Sequence, residues 1–362
     1  MKFLPTFFLR ATALAICAAS ALSLTGCKHS GGRVLEVAYV SGVQVVLRDR
    51  VAAVYEKTGL VKNGDRVDVL DRDRRFSKVR TASGQMGWME QRFLVSQQVY
   101  DQLQKLTSEN QNDPVQATGV TRNDTNLHVT PGRDTEHLYQ IVAGERLSLL
   151  KRATAEKPGS VAVPQHVVIS ADKSGAKAPE KKEAPHPLAE DWWLARDTNG
   201  RVGWVLGRMV DLDLPLDVAQ YAEGQRIVAF FVLNQVKDGD KKVPQYLTVL
   251  TEPKDGLPFD FNQFRVFTWN VKRHRYETAY RERMEGALPV TVAQEDFGKE
   301  GVLPVFTIRA LDDNGNVSER KYKLNTPMVR RVYAPGEEAV HAAHKATKKP
   351  SAAKQARRRK QQ

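Results

Sequence analysis

One stretch of this chain is used twice. Residues 191–210 read Asp-Trp-Trp-Leu-Ala-Arg-Asp-Thr-Asn-Gly-Arg-Val-Gly-Trp-Val-Leu-Gly-Arg-Met-Val, and residues 75–95 carry the same parts in the same order. Phe76 stands where Trp192 does, Arg80 where Arg196 does, Gly84 and Gly87 match Gly200 and Gly203, and Trp88 matches Trp204, all at one offset of 116 residues. Each run predicts strand, tight turn, strand: alternating residues lead into Ser83-Gly84 or Asn199-Gly200, and a Gly-Trp step follows. A duplicated hairpin of this kind commits much of the chain to β-structure.

The repeat extends upstream. Residues 64–70 (Gly-Asp-Arg-Val-Asp-Val-Leu) match residues 144–150 (Gly-Glu-Arg-Leu-Ser-Leu-Leu) at an offset of 80, and Val45-Val-Leu-Arg48 is set against Leu127-His-Val-Thr130. The change of offset puts 36 extra residues between Leu150 and Asp191, and the Ala/Lys/Pro-rich run 154–188 accounts for them. In this order of motifs, residues 34–96 and 120–212 resemble the bacterial SH3-like domain, a small β-barrel common in cell-envelope proteins. The first copy departs from the family by having Phe76 for the usual Trp and no Pro-containing turn after residues 45–48, the second by its insert. The resemblance implies a groove beside the repeated strand that contacts cell-wall peptides. Phe76 and Trp192 are the positions carried over, with Trp88 and Trp204 at the barrel edge as further candidates. Strand alternation sets Trp192 opposite Trp193 and Ala195, so one Trp enters the core, and Trp192 is expected outside. The alternative, that all of these aromatics close the barrels, stays open.

The net charge of +13 is unevenly placed. Residues 341–362 hold eight Lys and Arg and no acid, and Lys2 and Arg10 add two more near the N-terminus, leaving about +3 for residues 28–340. A nucleic-acid-binding body is therefore not implied, and the tail is expected to be disordered and to attract envelope polyanions. Lys2 and Arg10 flank an apolar stretch, and residues 11–24 after it are too short for a permanent span, which predicts an export signal over 1–26. Its closing Leu24-Thr25-Gly26-Cys27 resembles the bacterial lipoprotein motif, which implies lipid attachment at Cys27. Lys28, not Asp, follows it, and the resemblance then implies the periplasmic face of the outer membrane. Cys17 is the other cysteine and lies within the signal, so the mature chain has neither a disulfide nor a free thiol.

Between the copies, residues 97–119 form a linker in which Val99, Leu103 and Leu106 recur at helical spacing. It is read as a helix packed between the barrels or capping one. The insert 154–188 is expected to be a disordered loop, with one strand available from the apolar patch 161–169. From 214 to 333 the chain alternates short β-rich runs with Asp-Gly, Asn-Gly and Pro turns. Seven strands are predicted, at 226–236, 245–251, 264–270, 275–281, 288–293, 304–311 and 318–324, in a sandwich or barrel-like domain. The fold class expected is all-β: two small SH3-like barrels, a linking helix, a β-domain and a tail over 334–362.

Catalysis finds no support in these residues. A thiol nucleophile needs a free mature cysteine, and the eight histidines show no zinc-ligand spacing. Residues 312–316 alternate Asp and Asn but place glycine too early for a calcium loop, and read better as a hairpin turn. A basic hairpin with Lys272, Arg273, Arg275 and Arg281 is a candidate partner or anion site. The function expected is a non-catalytic, lipid-anchored envelope protein that binds peptidoglycan or its stem peptides, with no cofactor, no metal and no nucleic acid. The alternative is an adaptor subunit docking on an envelope protein through the third domain.

Overall fold

The computed structural model describes residues 33–159, 188–312 and 314–333. The signal, Cys27, the apolar patch of the insert and the basic tail lie outside them. The fold is all-β, and the described residues form three seven-stranded sheets in sequence order with short helices between them.

The first sheet holds β1 (Glu36–Val40), β2 (Gln44–Arg48), β3 (Lys57–Lys62), β4 (Arg66–Asp73), β5 (Phe76–Thr81), β6 (Met86–Glu90) and β7 (Leu94–Ser96). The second holds β8 (Ala117–Thr121), β9 (Thr125–His128), β10 (His137–Ile141), β11 (Arg146–Glu156), β12 (Ala189–Arg196), β13 (Val202–Leu206) and β14 (Val210–Leu212). Their orders, β3-β2-β6-β5-β4-β1-β7 and β10-β9-β13-β12-β11-β8-β14, are one topology written twice. The Gly-Trp step has a packing cause. A Cβ on Gly87 would lie 2.7 Å from the Leu47 Cβ, and one on Gly203 2.6 Å from the Leu127 Cβ, so β6 cannot cross β2, nor β13 cross β9, with a larger residue. These crossings also correct the alignment. Arg48 pairs with Trp88 and His128 with Trp204, so Leu47-Arg48 corresponds to Leu127-His128. The offset of 80 holds there too, and Val45 is not the partner of Leu127.

Each barrel is small, and its inward residues alternate with outward ones: Val67, Val69, Val79 and Met89 in the first are at most 1% exposed. A core of this size gains from neighbours. Helix α1 (Gln97–Glu109) supplies some, burying Val99 and Leu103 and laying Leu106 against Leu150, Leu194 and Val202 of the second barrel. Tyr100 stacks on Tyr39 of the first barrel at 4.0 Å. Asn63 bridges the barrels directly, donating to the Leu138 carbonyl at 2.8 Å and accepting from the Gln140 amide at 3.1 Å.

After a single-turn helix, α2 (Leu216–Ala219), the third sheet is an antiparallel meander: β15 (Arg226–Asp238), β16 (Lys241–Thr251), β17 (Phe261–Asn270), β18 (Arg275–Asp296), β19 (Val302–Leu311), β20 (Val317–Asn325) and β21 (Met328–Val332). The strands differ from those predicted. Residues 275–281 and 288–293 are one 22-residue strand, and 328–332 is an added one. Gly286 and Pro289 look like stops in sequence, yet the chain only shifts register against β19 there, because Gly286 sits on the Phe261 ring where a Cβ would come within 2.3 Å. On the core face, Phe264, Phe306 and Tyr322 pack ring to ring, and Tyr280 and Tyr322 both donate hydroxyl hydrogen bonds to Glu282.

The second barrel docks on this sheet through an extended β11–β12 hairpin. Pairing continues to Glu156 and Ala189, so part of the run expected to be loop is strand. Asp191, 5% exposed, accepts hydrogen bonds from Arg152, from Arg226 at 2.8 Å and from the Gly256 amide at 3.0 Å, while Arg152 also donates to the Asp260 carbonyl at 2.6 Å. A cleft of about 520 Å³ lies beside this network, lined by Trp193, Val210, Leu212, Ile227 and Val228 among others.

Candidate functional site

The duplicated topology puts the same outer-face position in both barrels, where two strands carry an aromatic pair and a third supplies a nitrogen base, Arg48 in the first and His128 in the second. In the first barrel, β5 and β6 present Phe76 and Lys78 opposite Glu90 and Trp88, and Arg48 of β2 comes in beside Trp88. The Arg48 guanidinium carbon sits 4.2 Å from the Tyr55 ring centroid and 5.1 Å from that of Phe76. Glu90 holds it at 3.7 Å. Phe76 and Trp88 are half-buried and Tyr55 is 38% exposed, so the rings and the guanidinium stacked on two of them form a partly exposed patch. Planar guanidinium on aromatic faces, with a carboxylate at its edge, suits a ligand that offers apolar surface, amides and a charge.

In the second barrel that position is shut. Trp192 keeps the predicted side of the strand, opposite Trp193 and Ala195, but only 2% of it is exposed, and Trp193 is 5% exposed. This corrects the expectation that Trp192 is a surface residue. The cause is tertiary: loop 130–137 folds over the groove and is clamped by Arg133, which donates two hydrogen bonds of 2.6 Å to Glu190. Beneath it His128 meets the Trp192 ring edge-on at 5.2 Å and lies 5.0 Å from His137. The His128 ring nitrogen Nδ1 is within 3.1 Å of both the carbonyl and the hydroxyl oxygen of Thr135. Burial, and then the neighbouring His137, push the His128 pKa down to about 4. The Trp192 indole N–H has no hydrogen-bond partner among the described residues. Trp204 is half-buried and shares its contacts with Leu106 of α1.

Arg48, Tyr55 and Glu90 complete the open groove, and sequence reasoning missed them. The offset of 80 fixed by Gly64 and Gly144 carries the signal for Arg48, since it sets Arg48 against His128; the two-residue slip around Val45 hid it.

The basic hairpin divides into two places. At the tip, Arg273 and Arg275 both reach Glu277, at 3.1 and 3.4 Å, and His274 pairs with Asp238 at 2.7 Å, while the Lys272 side chain is exposed. Arg281 lies six residues along β18, beside Arg265, and pairs with Glu223 at 2.9 Å. The loop after β19 folds on itself: Asp312 Oδ1 accepts the amides of Asn314 and Asn316, as a hairpin turn requires.

No family model and no curated protein matches the chain. Among solved structures, it is similar to an NlpC/P60 family protein from Bacillus cereus ATCC 10987, at 12% identity over 81% of this chain and 95% of that one, with a TM-score of 0.22. It is also similar to NlpC2 and NlpC1 from Trichomonas vaginalis, at 9% and 8% identity over 82% and 86% of this chain and 95% of each of those, with TM-scores of 0.16 and 0.17. Likeness at that level carries no argument about fold or activity.

Among the described residues there is no cysteine, and no three His, Cys, Asp or Glu side chains are grouped so as to hold a metal ion.

Proposed function

We propose that the protein is a non-catalytic cell-envelope protein, lipid-anchored through Cys27 at the periplasmic face of the outer membrane, whose first barrel binds peptidoglycan stem peptides. The observation that carries this reading is the partly exposed patch of Arg48, Tyr55, Phe76 and Trp88, set beside an equivalent position in the second barrel where Trp192 is buried under its own loop. Stem peptides combine amides, short apolar side chains and carboxylates, which match ring faces and a guanidinium held at the groove. The groove residues act as the recognition surface, the second barrel as support, and the lipid and basic tail hold the molecule to the membrane and its anions.

The test is co-sedimentation of the Cys27→Ser chain with purified sacculi at low and moderate salt. Retention that persists in moderate salt and falls at least tenfold with Phe76→Ala or Arg48→Ala supports the reading. Retention that vanishes with salt and ignores both substitutions leaves only the basic tail and overturns it. An adaptor acting through the tip of the third-domain hairpin ranks second, because Arg273, Arg275 and His274 are already engaged by Glu277 and Asp238.

A further inference from the structure

On the face of the third sheet turned away from its aromatic core, two local rules are broken at one spot. Arg265 of β17 stands directly opposite Arg281 of β18, and Arg283 is opposite Gln263, so three guanidiniums share one face of two paired strands. Like charges directly opposite on antiparallel strands repel. Arg265 is moreover only 3% exposed: the chain from α2 onward crosses this face, with Val218 and Tyr221 packed among Phe267, Tyr246 and Tyr276, and Arg265 donates to the Tyr221 carbonyl at 2.7 Å. Burial first, then the charge of Arg281, draws the Arg265 guanidinium below its ordinary range.

One carboxylate answers two of the three. Glu223 pairs with Arg265 at 3.0 Å and with Arg281 at 2.9 Å. It does so from a left-handed backbone, φ 53°, that non-glycine residues adopt only at a cost. Arg283 has no carboxylate partner among the described residues, and Glu285, next on the same face of β18 by alternation, forms no ion pair with it. The Glu223 side chain is 55% exposed and that of Arg281 42%, so the carboxylate can leave without opening the core.

We propose that Arg265, Arg281 and Arg283 form a binding site for a phosphate-type oxyanion, with Glu223 as an intramolecular stand-in that the ligand displaces. A single carboxylate brings one negative charge and two oxygens to three guanidiniums. A phosphate monoester or diphosphate brings two or more charges and three or more oxygens, enough to engage both exposed arginines and the Arg265 Nη2 that faces Glu223, while Gln263 and the Tyr221 carbonyl hold the rest of that guanidinium. This inference does not depend on the wall-binding reading, which concerns the other end of the chain.

The experiment is calorimetric titration of the Cys27→Ser chain with inorganic pyrophosphate in low salt. Arg283→Gln, an exposed and unpaired side chain, is expected to weaken binding at least tenfold with no change in the unfolding temperature. Glu223→Gln, which removes the competitor, is expected to tighten binding about tenfold. Glu223→Gly, which also relaxes the turn, serves the same purpose should the amide variant fold poorly. The triple change of Lys272, Arg273 and Arg275 to Gln leaves the affinity unaltered, which separates the site from general positive charge. Absence of pyrophosphate binding, an Arg283→Gln affinity equal to that of the parent chain, or both Glu223 variants binding no tighter overturns the proposal. Vesicles of phosphatidylcholine with phosphatidic acid identify the source. Recruitment lost in Arg283→Gln assigns the site to a lipid headgroup, and pyrophosphate binding without recruitment assigns it to a soluble phosphate.

Discussion

Replacing Trp192 and Phe76 separately by alanine tests whether the two copies have come to serve different ends. Trp192 is 2% exposed and packed on His128, so Trp192→Ala removes a fully buried ring, a change that costs about 3–5 kcal/mol. Phe76 is half-buried, so its removal forfeits roughly half of the 1.5–3 kcal/mol of a buried ring, plus about 0.5–1 kcal/mol of contact with Arg48. At about 2–4 °C per kcal/mol for a folded body of this size, Trp192→Ala should lower Tm by about 10 °C and Phe76→Ala by about 5 °C. Trp192→Phe discriminates further, because it keeps the ring and deletes an indole N–H that has no partner, and should fall well short of the alanine loss. Circular dichroism gives the midpoints; sacculus retention, measured well below both, gives the binding. Phe76→Ala should lose retention, and Trp192→Ala should retain it per folded molecule. A Trp192→Ala protein that melts within two degrees or so of the parent, and no longer sediments with the wall, would show that the second groove opens in solution and is itself the binding surface.

Three other substitutions test the architecture. His128 has a folded pKa near 4 against an ordinary 6.5, so the unfolded chain binds more protons between those values. Its contribution is complete above about pH 6.5 and falls away as pH drops toward 4, by about 3 kcal/mol at most; His128→Gln should flatten that part of the Tm profile relative to the parent. Asp191→Ala leaves the Arg152 guanidinium, 7% exposed, without its carboxylate at the junction of second barrel and third sheet; a loss of about 3–5 kcal/mol is expected, with faster hydrogen exchange over β15, and unchanged exchange there would refute the junction as drawn. Gly286→Ala forces a Cβ onto the Phe261 ring and toward the Arg309 carbonyl and should cost about 1–3 kcal/mol, read as a lowered Tm by circular dichroism.

Local chemistry made the repeat and its strands legible. The Gly-Trp step survives in both copies because a Cβ cannot be fitted at the crossing with Leu47 or Leu127, and the inward Val, Leu and Met alternate as a pleat demands. The helical spacing of Val99, Leu103 and Leu106 also gave α1 its buried side. Groove closure was not legible, because it depends on Arg133 reaching Glu190 across 57 residues of sequence. Strand periodicity could say which side Trp192 takes and not what lies over it. The merging of two predicted strands into β18 failed for a similar reason, since glycine marks a turn in sequence but marks close approach to Phe261 in space. The basic hairpin shows both cases at once. The Glu277 partner of Arg273 is four residues away and readable; the Glu223 partner of Arg281 is 58 residues away and is not.

The second copy carries a joint where the first has an exposed face, and equivalent residues show how. Arg72 and Arg152 hold the same register place, Arg72 opposite Ser77 and Arg152 opposite Trp193. In the first barrel Arg72 is 53% exposed and pairs with Glu36 at the surface. In the second, the hairpin is lengthened, β11 and β12 having 11 and 8 residues against 8 and 6 for β4 and β5, and the matching Arg152 is buried on Asp191 against the third sheet. The strand that carries Trp192 on one side thus carries Asp191 and Trp193 into the junction on the other. With one side of that strand fixed in the junction, loop 130–137 on the other side turns ring surface at Trp192 into buried area. The first copy, joined to the rest through Asn63, Tyr39 and α1, keeps the Phe76 side of its strand free of such duty, which is why recognition is assigned there.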